Sequence, residues 1–206
     1  HIAINTAWLE DVLITHLGAG ANLGAQLHYS PEGRDFGHAL ETAGGIARAL
    51  PMLDDVFWVV AGDVFTPEFV FESAVYEAFK HSDKLAHLWL VPNPPHNPVG
   101  DFGLSTQGLA LNLPKPPLVD AAASPAPYSL ASTPALWTYS TIGLYKQAFF
   151  TQAGEYSLAA GNPTGVKAAL APLLRHHMNH GRVSAQLYNG SWTDVGTPQR
   201  LEELNT

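Results

Sequence analysis

The chain has 206 residues, 46% hydrophobic and 14% charged, enough apolar surface for one sizeable α/β domain or two small ones. A net charge of −8 with only ten Lys and Arg excludes the basic stripe of a nucleic-acid binder. No apolar run reaches the length of a membrane span, and the lack of cysteine excludes a disulfide framework or a thiolate site. The acidic balance leaves room for a small phosphorylated substrate, because one metal ion can reverse the local sign of the field. No signal peptide is visible, and a cytoplasmic location is the expectation.

His1–Asn5 reads as a buried strand. Thr6 is placed to cap a helix over 7–17, with Leu9, Val12, Leu13, Ile14 and Leu17 at helical spacing. Glycines from Gly18 to Gly24 turn the chain into a second strand, Ala25–Ser30. A loop follows at 31–38, and then Leu40-Glu-Thr-Ala-Gly-Gly-Ile46, continuing as helix to Leu50. Asp55–Asp63, D-V-F-W-V-V-A-G-D, reads as a strand buried on both faces with an acid at its tip. Thr66-Pro-Glu68 reads as the start of a helix to Lys80, with Phe69, Val70, Ala74, Val75, Ala78 and Phe79 inward. Leu85–Val91 is the fourth strand. The resulting β-α-β-α-β-α-β pattern predicts an α/β, Rossmann-like doubly wound sheet with right-handed crossovers.

The second part differs. Pro92–Pro98 is too proline-rich for a regular element. Residues 101–104 and 108–111 read as a hairpin, and 114–134 as a long surface loop rich in Pro, Ala and Ser. Leu136–Tyr145 reads as a long strand, followed by a short helix at 147–152 and a helix over 166–180. Strands at 183–188 and 191–194 flank Asn189-Gly190, a hairpin signal. Thr197-Pro198 opens a last helix.

Two acids stand out for chemistry. Asp63 follows a strand, where open α/β sheets bind ligands; Gly-Asp there also fits a plain turn. Asp194, in Trp192-Thr-Asp-Val-Gly-Thr-Pro198, again sits between a strand and a helix, a position a capping acid also takes. The Gly44-Gly45 pair would present bare amides to a base edge or phosphate if it opens its helix. His176 and His180 have metal-ligand spacing, although histidines near a helix end also answer the helix dipole. Trp8, Trp58 and Trp89 fall in apolar patterns and read as packing residues, and His96 and Asn97 lie in a rigid loop where a sugar contact is plausible.

Taken together, Ile4-Asn-Thr-Ala-Trp8, Tyr29-Ser-Pro-Glu32, Leu40–Ile46, Gly62-Asp63, Asn93–Phe102, Tyr139–Gly143, Leu170–Arg175 and Trp192–Thr197 span nearly the whole chain. In that order they resemble the sugar-1-phosphate nucleotidyltransferase family. The resemblance implies the nucleotide-diphospho-sugar transferase fold in a single domain over 1–206. Residues 1–91 would form a nucleotide-binding part and 92–206 a sugar-binding part. It implies a Mg²⁺ cofactor held by Asp63 and Asp194, which are also the catalytic pair. It places Glu41, Thr42, Gly44, Gly45 and Gly62 beside the nucleotide, and Asn97, Gly100, Asp101, Tyr139 and Ser140 on the sugar side. The implied reaction is uridylyl transfer from UTP to a sugar 1-phosphate, N-acetylmuramate 1-phosphate first among them, in peptidoglycan recycling by a monomer or weak homo-oligomer. Glucose- or mannose-1-phosphate, or a binding domain without turnover, are the alternatives.

Three features depart from the family pattern. No G-x-G-x-R phosphate loop occurs in these residues. The chain opens on His1 and enters a strand at once, so the expectation is that the loop lies upstream and that this stretch alone is inactive. Thr141 stands where the family pattern has a glycine. The 114–134 loop is long and carries Lys115, a candidate phosphate contact that also fits an exposed lysine.

Overall fold

The structure, a computed structural model, describes residues 1–115 and 135–205. The chain forms two compact units, 1–57 with 145–177 and 58–144 with 178–206. Each draws on both halves of the sequence.

The first unit begins with β1 (Ile2–Thr6), α1 (Glu10–Leu17), β2 (Leu27–Pro31), α2 (Glu32–Phe36) and α3 (Glu41–Ala49). β1 and β2 pair in parallel, Ile2 opposite Leu27 and Thr6 opposite Pro31. Thr6 does not cap α1. It ends β1, and its hydroxyl donates to Glu10 Oε2 at 3.0 Å. α1 starts only after Leu9, whose φ is +52°. Trp8, Leu9 and Val12 are exposed while Leu13, Ile14 and Leu17 are half-buried, so the apolar spacing read there faces a core only in part.

The expected loop at 31–38 contains α2, whose first residue organises the unit. The buried Glu32 carboxylate accepts from Asn5 Nδ2 at 2.8 Å and from the Leu40 amide at 2.7 Å. Hydrogen bonds to the charged form offset the cost of burying it. α3 packs beside this carboxylate, and at Gly45 a Cβ would stand 2.5 Å from Glu32 Oε1. Tyr145, Phe149 and Phe150, from the end of β8 (Leu136–Lys146) and from α5 (Gln147–Thr151), are fully buried. Phe57 stacks on Tyr145 and Phe150. The helix expected over 166–180 is shorter: α6 runs Leu170–Asn179, with Pro172 in its first turn, where its missing N–H costs nothing.

The second unit is built on a sheet with strand order β7-β6-β8-β5-β9, and β3 (Val56–Val59) also pairs with β8. Here β5 is Ala86–Val91, β6 Phe102–Leu104, β7 Ala110–Leu111 and β9 Val183–Leu187. The expected β6–β7 hairpin forms, antiparallel. β5 and β9 are parallel, Ala86 opposite Val183.

Two expectations change in this unit. The helix read from Thr66 starts only at α4 (Ser73–Lys80). Thr66 donates its hydroxyl to the Ser191 carbonyl at 2.9 Å. Phe69 and Phe71 join Trp58, Trp89 and Tyr188 in one aromatic cluster with centroids 4.9 to 6.1 Å apart. Ring contacts of this kind, about 0.5–1.5 kcal/mol each, outweigh the few tenths of a kcal/mol per residue that helix propensity offers, although Phe71 itself stays exposed. Val70, Ala74 and Ala78 are exposed, and of the residues read as inward Phe79 is buried.

The hairpin read around Asn189-Gly190 also does not form. β9 pairs with β5, burying Val183 and Ala185, and the Tyr188 amide donates to the Leu90 carbonyl. β10 (Thr193–Asp194) pairs instead with β4 (Val64–Phe65). The chain ends in α7 (Pro198–Leu204), capped as read: Thr197 Oγ1 accepts from the Arg200 amide at 3.3 Å. The loop read at 114–134 lies outside the described residues from 116 on.

Candidate active site

The apolar run Asp55–Asp63 is buried only at its start. Val56 and Phe57 are buried, whereas Val60, Gly62 and Asp63 are exposed. Gly62 and Asp63 turn the chain from β3 into β4. β4 pairs antiparallel with β10, Asp194 opposite Val64, and the Val195 amide donates to the Asp63 carbonyl at 2.7 Å. Two acids remote in sequence are thereby brought together, Asp194 in the ladder opposite Val64 and Asp63 in the turn just before β4.

The Asp194 carboxylate is held asymmetrically. Oδ2 is 3.0 Å from Arg200 Nη2 on α7. Oδ1 is 3.1 Å from His96 Nε2, yet it is buried and receives no aligned hydrogen bond. The His96 approach lacks hydrogen-bond alignment, and Oδ1 keeps unused acceptor capacity. Gly196 makes the arrangement sterically possible. A Cβ there would stand 2.8 Å from Asp63 Oδ2 and 3.2 Å from Arg200 Nη2.

These donors fit a magnesium ion. Carboxylate oxygens are hard ligands, and Mg²⁺ takes one or two of them, leaving its other positions to phosphates and water. A buried carboxylate oxygen without a hydrogen bond is the feature such an ion would satisfy. Among the described residues no group of three or more His, Cys, Asp or Glu is arranged to hold a metal, so the protein's share would be Asp63 and Asp194. His176 and His180 form no such group.

A cavity of about 200 Å³ opens beside the acids. Asp63, Val64, Asp194 and Trp192 line it from the β4–β10 side, His96 and Asn97 from the proline-rich loop, and Thr138, Tyr139 and Thr141 from β8. Its loop side is tightly bonded. Asn97 Nδ2 donates to Asp101 Oδ2 and to Thr138 Oγ1, both at 3.1 Å. Thr138 Oγ1 donates to Asn93 Oδ1 at 2.9 Å. Asp101 Oδ2 also accepts from the Tyr139 amide, and Lys115 Nζ lies 3.3 Å from Oδ1. Gly100, at φ +78°, is required where a Cβ would stand 2.7 Å from Asn93 Oδ1.

β8 carries an unusual backbone. Thr141 has φ +63°. For a β-branched residue this left-handed conformation costs on the order of 1–2 kcal/mol. Thr141 Oγ1 donates to the Ser140 carbonyl at 2.6 Å, and Trp192 Nε1 donates to the same oxygen at 3.1 Å.

Of the residues singled out from sequence, Asp63, Asn97, Tyr139 and Asp194 meet in this cavity. Gly62 precedes Asp63 in the turn. Gly100 and Asp101 brace the loop behind Asn97. Ser140 is fully buried, with its hydroxyl donating to the Trp89 carbonyl at 2.7 Å, so its side chain is committed to the sheet. Glu41, Thr42, Gly44 and Gly45 belong to the other unit. Glu41 and Thr42 are exposed, and Glu41 has φ +60°. The glycine pair does not open its helix with bare amides. Ala43 and Gly44 both donate to the Ala168 carbonyl, and both glycines are buried. Thr138 and Arg200 carried no recognisable sequence signal, and Trp192 and Gly196 stood in the Trp192–Thr197 motif without a role of their own. The roles of Gly196 and Arg200 arise from the β4–β10 pairing and the turn after it, and that of Thr138 from its bonds to Asn93 and Asn97.

No family model matches the chain. It is 41% identical over 204 residues to the N-acetylmuramate alpha-1-phosphate uridylyltransferase of Neisseria meningitidis serogroup B, covering 98% of this chain and 75% of that protein. Among solved structures, a Bacillus anthracis protein described as a glucose-1-phosphate thymidylyltransferase, crystallised with sucrose, matches with a TM-score of 0.69 at 18% identity over 99% of this chain and 74% of its own. HddC of Yersinia pseudotuberculosis matches with a TM-score of 0.64 at 12% identity, over 98% of this chain and 76% of its own. The two structures establish the nucleotide-diphospho-sugar transferase fold, and the Neisseria relative is close enough over nearly the full length to establish kinship. The chain therefore belongs to the sugar-1-phosphate nucleotidyltransferase family and is a nucleotidyltransferase.

Proposed function

We propose that the enzyme transfers the uridylyl group of UTP to a sugar 1-phosphate, with N-acetylmuramate 1-phosphate as the sugar, giving a UDP-sugar and pyrophosphate. The observation that carries the reading is the β4–β10 ladder, which sets Asp63 and Asp194 on one cavity. The choice of uridylyl group and sugar leans on the Neisseria relative's name.

A phosphate oxygen of the sugar 1-phosphate attacks the α-phosphorus of UTP. A new P–O bond forms, the α–β anhydride bond breaks, and pyrophosphate carries away the electron pair. Asp63 and Asp194 would hold Mg²⁺, which when bound neutralises charge on the phosphate oxygens. Arg200 fixes Oδ2 of Asp194 and leaves Oδ1 for the ion. No covalent intermediate with a side chain is needed; the protein's share is alignment and charge.

In the same reading, Asn97, Gly100, Asp101, Tyr139 and Ser140 form or brace the sugar side. Glu41, Thr42 and Gly62 serve the nucleotide, while Gly44 and Gly45, expected beside it, instead pack α3 against Val166 and Glu32. Residues 1–91 supply mainly the nucleotide part and 92–206 the sugar part. The setting is cytoplasmic peptidoglycan recycling, by a monomer or weak homo-oligomer. Among the described residues no helix is long and apolar enough to cross a membrane.

The test, made on the full-length protein, is pyrophosphate release from UTP, GTP, CTP and dTTP with N-acetylmuramate, glucose and mannose 1-phosphates, with and without Mg²⁺. UTP with N-acetylmuramate 1-phosphate should give the highest kcat/KM, and chelation should stop the reaction. Equal rates with all four nucleotides, or turnover after chelation, would contradict the reading.

A further inference from the structure

We propose that Thr141 is a specificity-determining residue for the sugar 1-phosphate, acting through a left-handed kink in β8 that fixes one wall of the cavity. The inference rests on the uridylyltransferase reading above. It starts from three observations at one peptide.

The first is the backbone. Along β8 burial alternates from Leu136 to Thr141, as in a strand with one face open, and then becomes continuous from Ile142 to Tyr145. The positive φ of Thr141 falls at that change. A β-branched residue is held in this conformation only when its surroundings impose it, and such strain collects where a ligand must be met.

The second is the carbonyl of Ser140. It accepts from Thr141 Oγ1 and from Trp192 Nε1, which occupies both lone pairs. Thr141 and Trp192 both line the cavity, so the strained peptide ties two wall residues to one oxygen. Moving Thr141 moves the indole's anchor.

The third is the chemistry left facing the ligand. The Thr141 hydroxyl proton is taken by Ser140, leaving its oxygen an acceptor. Both Asn97 amide protons are taken by Asp101 and Thr138, leaving Oδ1 as the remaining polar atom of that side chain. The wall therefore offers acceptors beside an aromatic ring. It suits the hydroxyl and amide N–H donors of a sugar ring. A carboxylate or phosphate turned toward the same wall would meet no donor from Asn97 or Thr141.

The experiment measures binding and turnover for wild type, Thr141→Val, Thr141→Ser and Thr141→Gly. Sugar 1-phosphate binding is read by calorimetry, and KM for the sugar and for UTP by steady-state kinetics, with thermal melts to establish folding. Valine keeps the branched shape and loses the hydroxyl. It should raise the dissociation constant and KM for the sugar 1-phosphate about 5- to 10-fold, with KM for UTP within about twofold. Serine, which keeps the tether to Ser140, should stay near wild type. Glycine adopts the left-handed conformation freely, so it should fold with an unchanged or higher Tm. It should also lose discrimination between sugar 1-phosphates of different size.

Equal shifts in both KM values, or none in valine and glycine alike, would overturn the proposal. A full-length wild type that binds a sugar 1-phosphate but does not turn it over overturns the uridylyltransferase reading alone. A wild type that binds none overturns both.

Discussion

The two sides of the cavity use polar groups in opposite ways. On the loop side, Asn93, Asn97, Asp101 and Thr138 satisfy one another, and only the Asn97 carbonyl oxygen is left over. On the acid side, Asp194 Oδ1 and Arg200 Nε are buried without a hydrogen bond. A saturated network is a scaffold: it fixes shape and resists rearrangement. An unsaturated buried carboxylate is costly unless something else completes it. The contrast separates residues that shape the cavity from residues that await a ligand.

The contrast is broken most severely at the acids. Asp63→Asn and Asp194→Asn should each lower kcat for pyrophosphate release by about 10³-fold or more, in line with loss of a main electrostatic element, while the melting temperature changes little. A wild-type rate in either variant would remove that residue from the chemistry. Arg200→Gln tests the support behind them. Orienting partners of metal ligands are worth about 10- to 100-fold in affinity, so the apparent Mg²⁺ requirement should rise by that factor, and Arg200→Lys should restore part of it.

The scaffold side predicts the opposite signature. Asp101→Ala strands the Tyr139 amide and one of the two Asn97 amide protons. Unsatisfied buried donors cost about 1–3 kcal/mol, so Tm should fall by roughly 2–12 °C, and the sugar KM should rise with little change in the metal requirement. If Asp101→Ala affected metal dependence as strongly as Asp194→Asn, the division into scaffold and ligand site would fail.

The smallest effect concerns His87 on β5. Its Nδ1 lies 2.8 Å from Ser184 Oγ and its Nε2 3.3 Å from Gln186 Oε1. Burial lowers its pKa below the usual 6.5, partly opposed by the Gln186 bond. The folded state then binds its proton less readily than the unfolded chain. This contribution to stability is complete above about pH 6.5 and declines as pH falls from there through the lowered folded value. His87→Gln should flatten the wild-type melting profile between pH 7 and pH 5; an unchanged slope would show that other groups set it.

What the sequence revealed follows from how local each feature is. The order of strands and helices was readable because apolar runs and Gly/Pro punctuation are local. So were the acids, each at a strand end beside a turn, and so was Thr141 as an odd residue for its motif. Arg200 and Gly196 were not legible, because their importance depends on β10 choosing β4 as its partner. The same pairing defeated the hairpin read at Asn189-Gly190. Thr66-Pro-Glu68 carried a sound helix signal, but the Trp58–Phe69–Phe71–Trp89 cluster held the chain out of helix until Ser73. Gly44-Gly45 looked like an opening for phosphate, yet close packing against Val166 and Glu32 is what requires the missing Cβ atoms.

The central claim is that Asp63 and Asp194 together form a divalent-cation site. Titration of the protein with Mn²⁺ in the presence of UTP, followed by electron paramagnetic resonance of the free ion, tests it without relying on turnover. One tight Mn²⁺ per chain is expected in the wild type, with affinity falling at least tenfold in both Asp63→Asn and Asp194→Asn. Unchanged Mn²⁺ affinity in either variant would contradict the account.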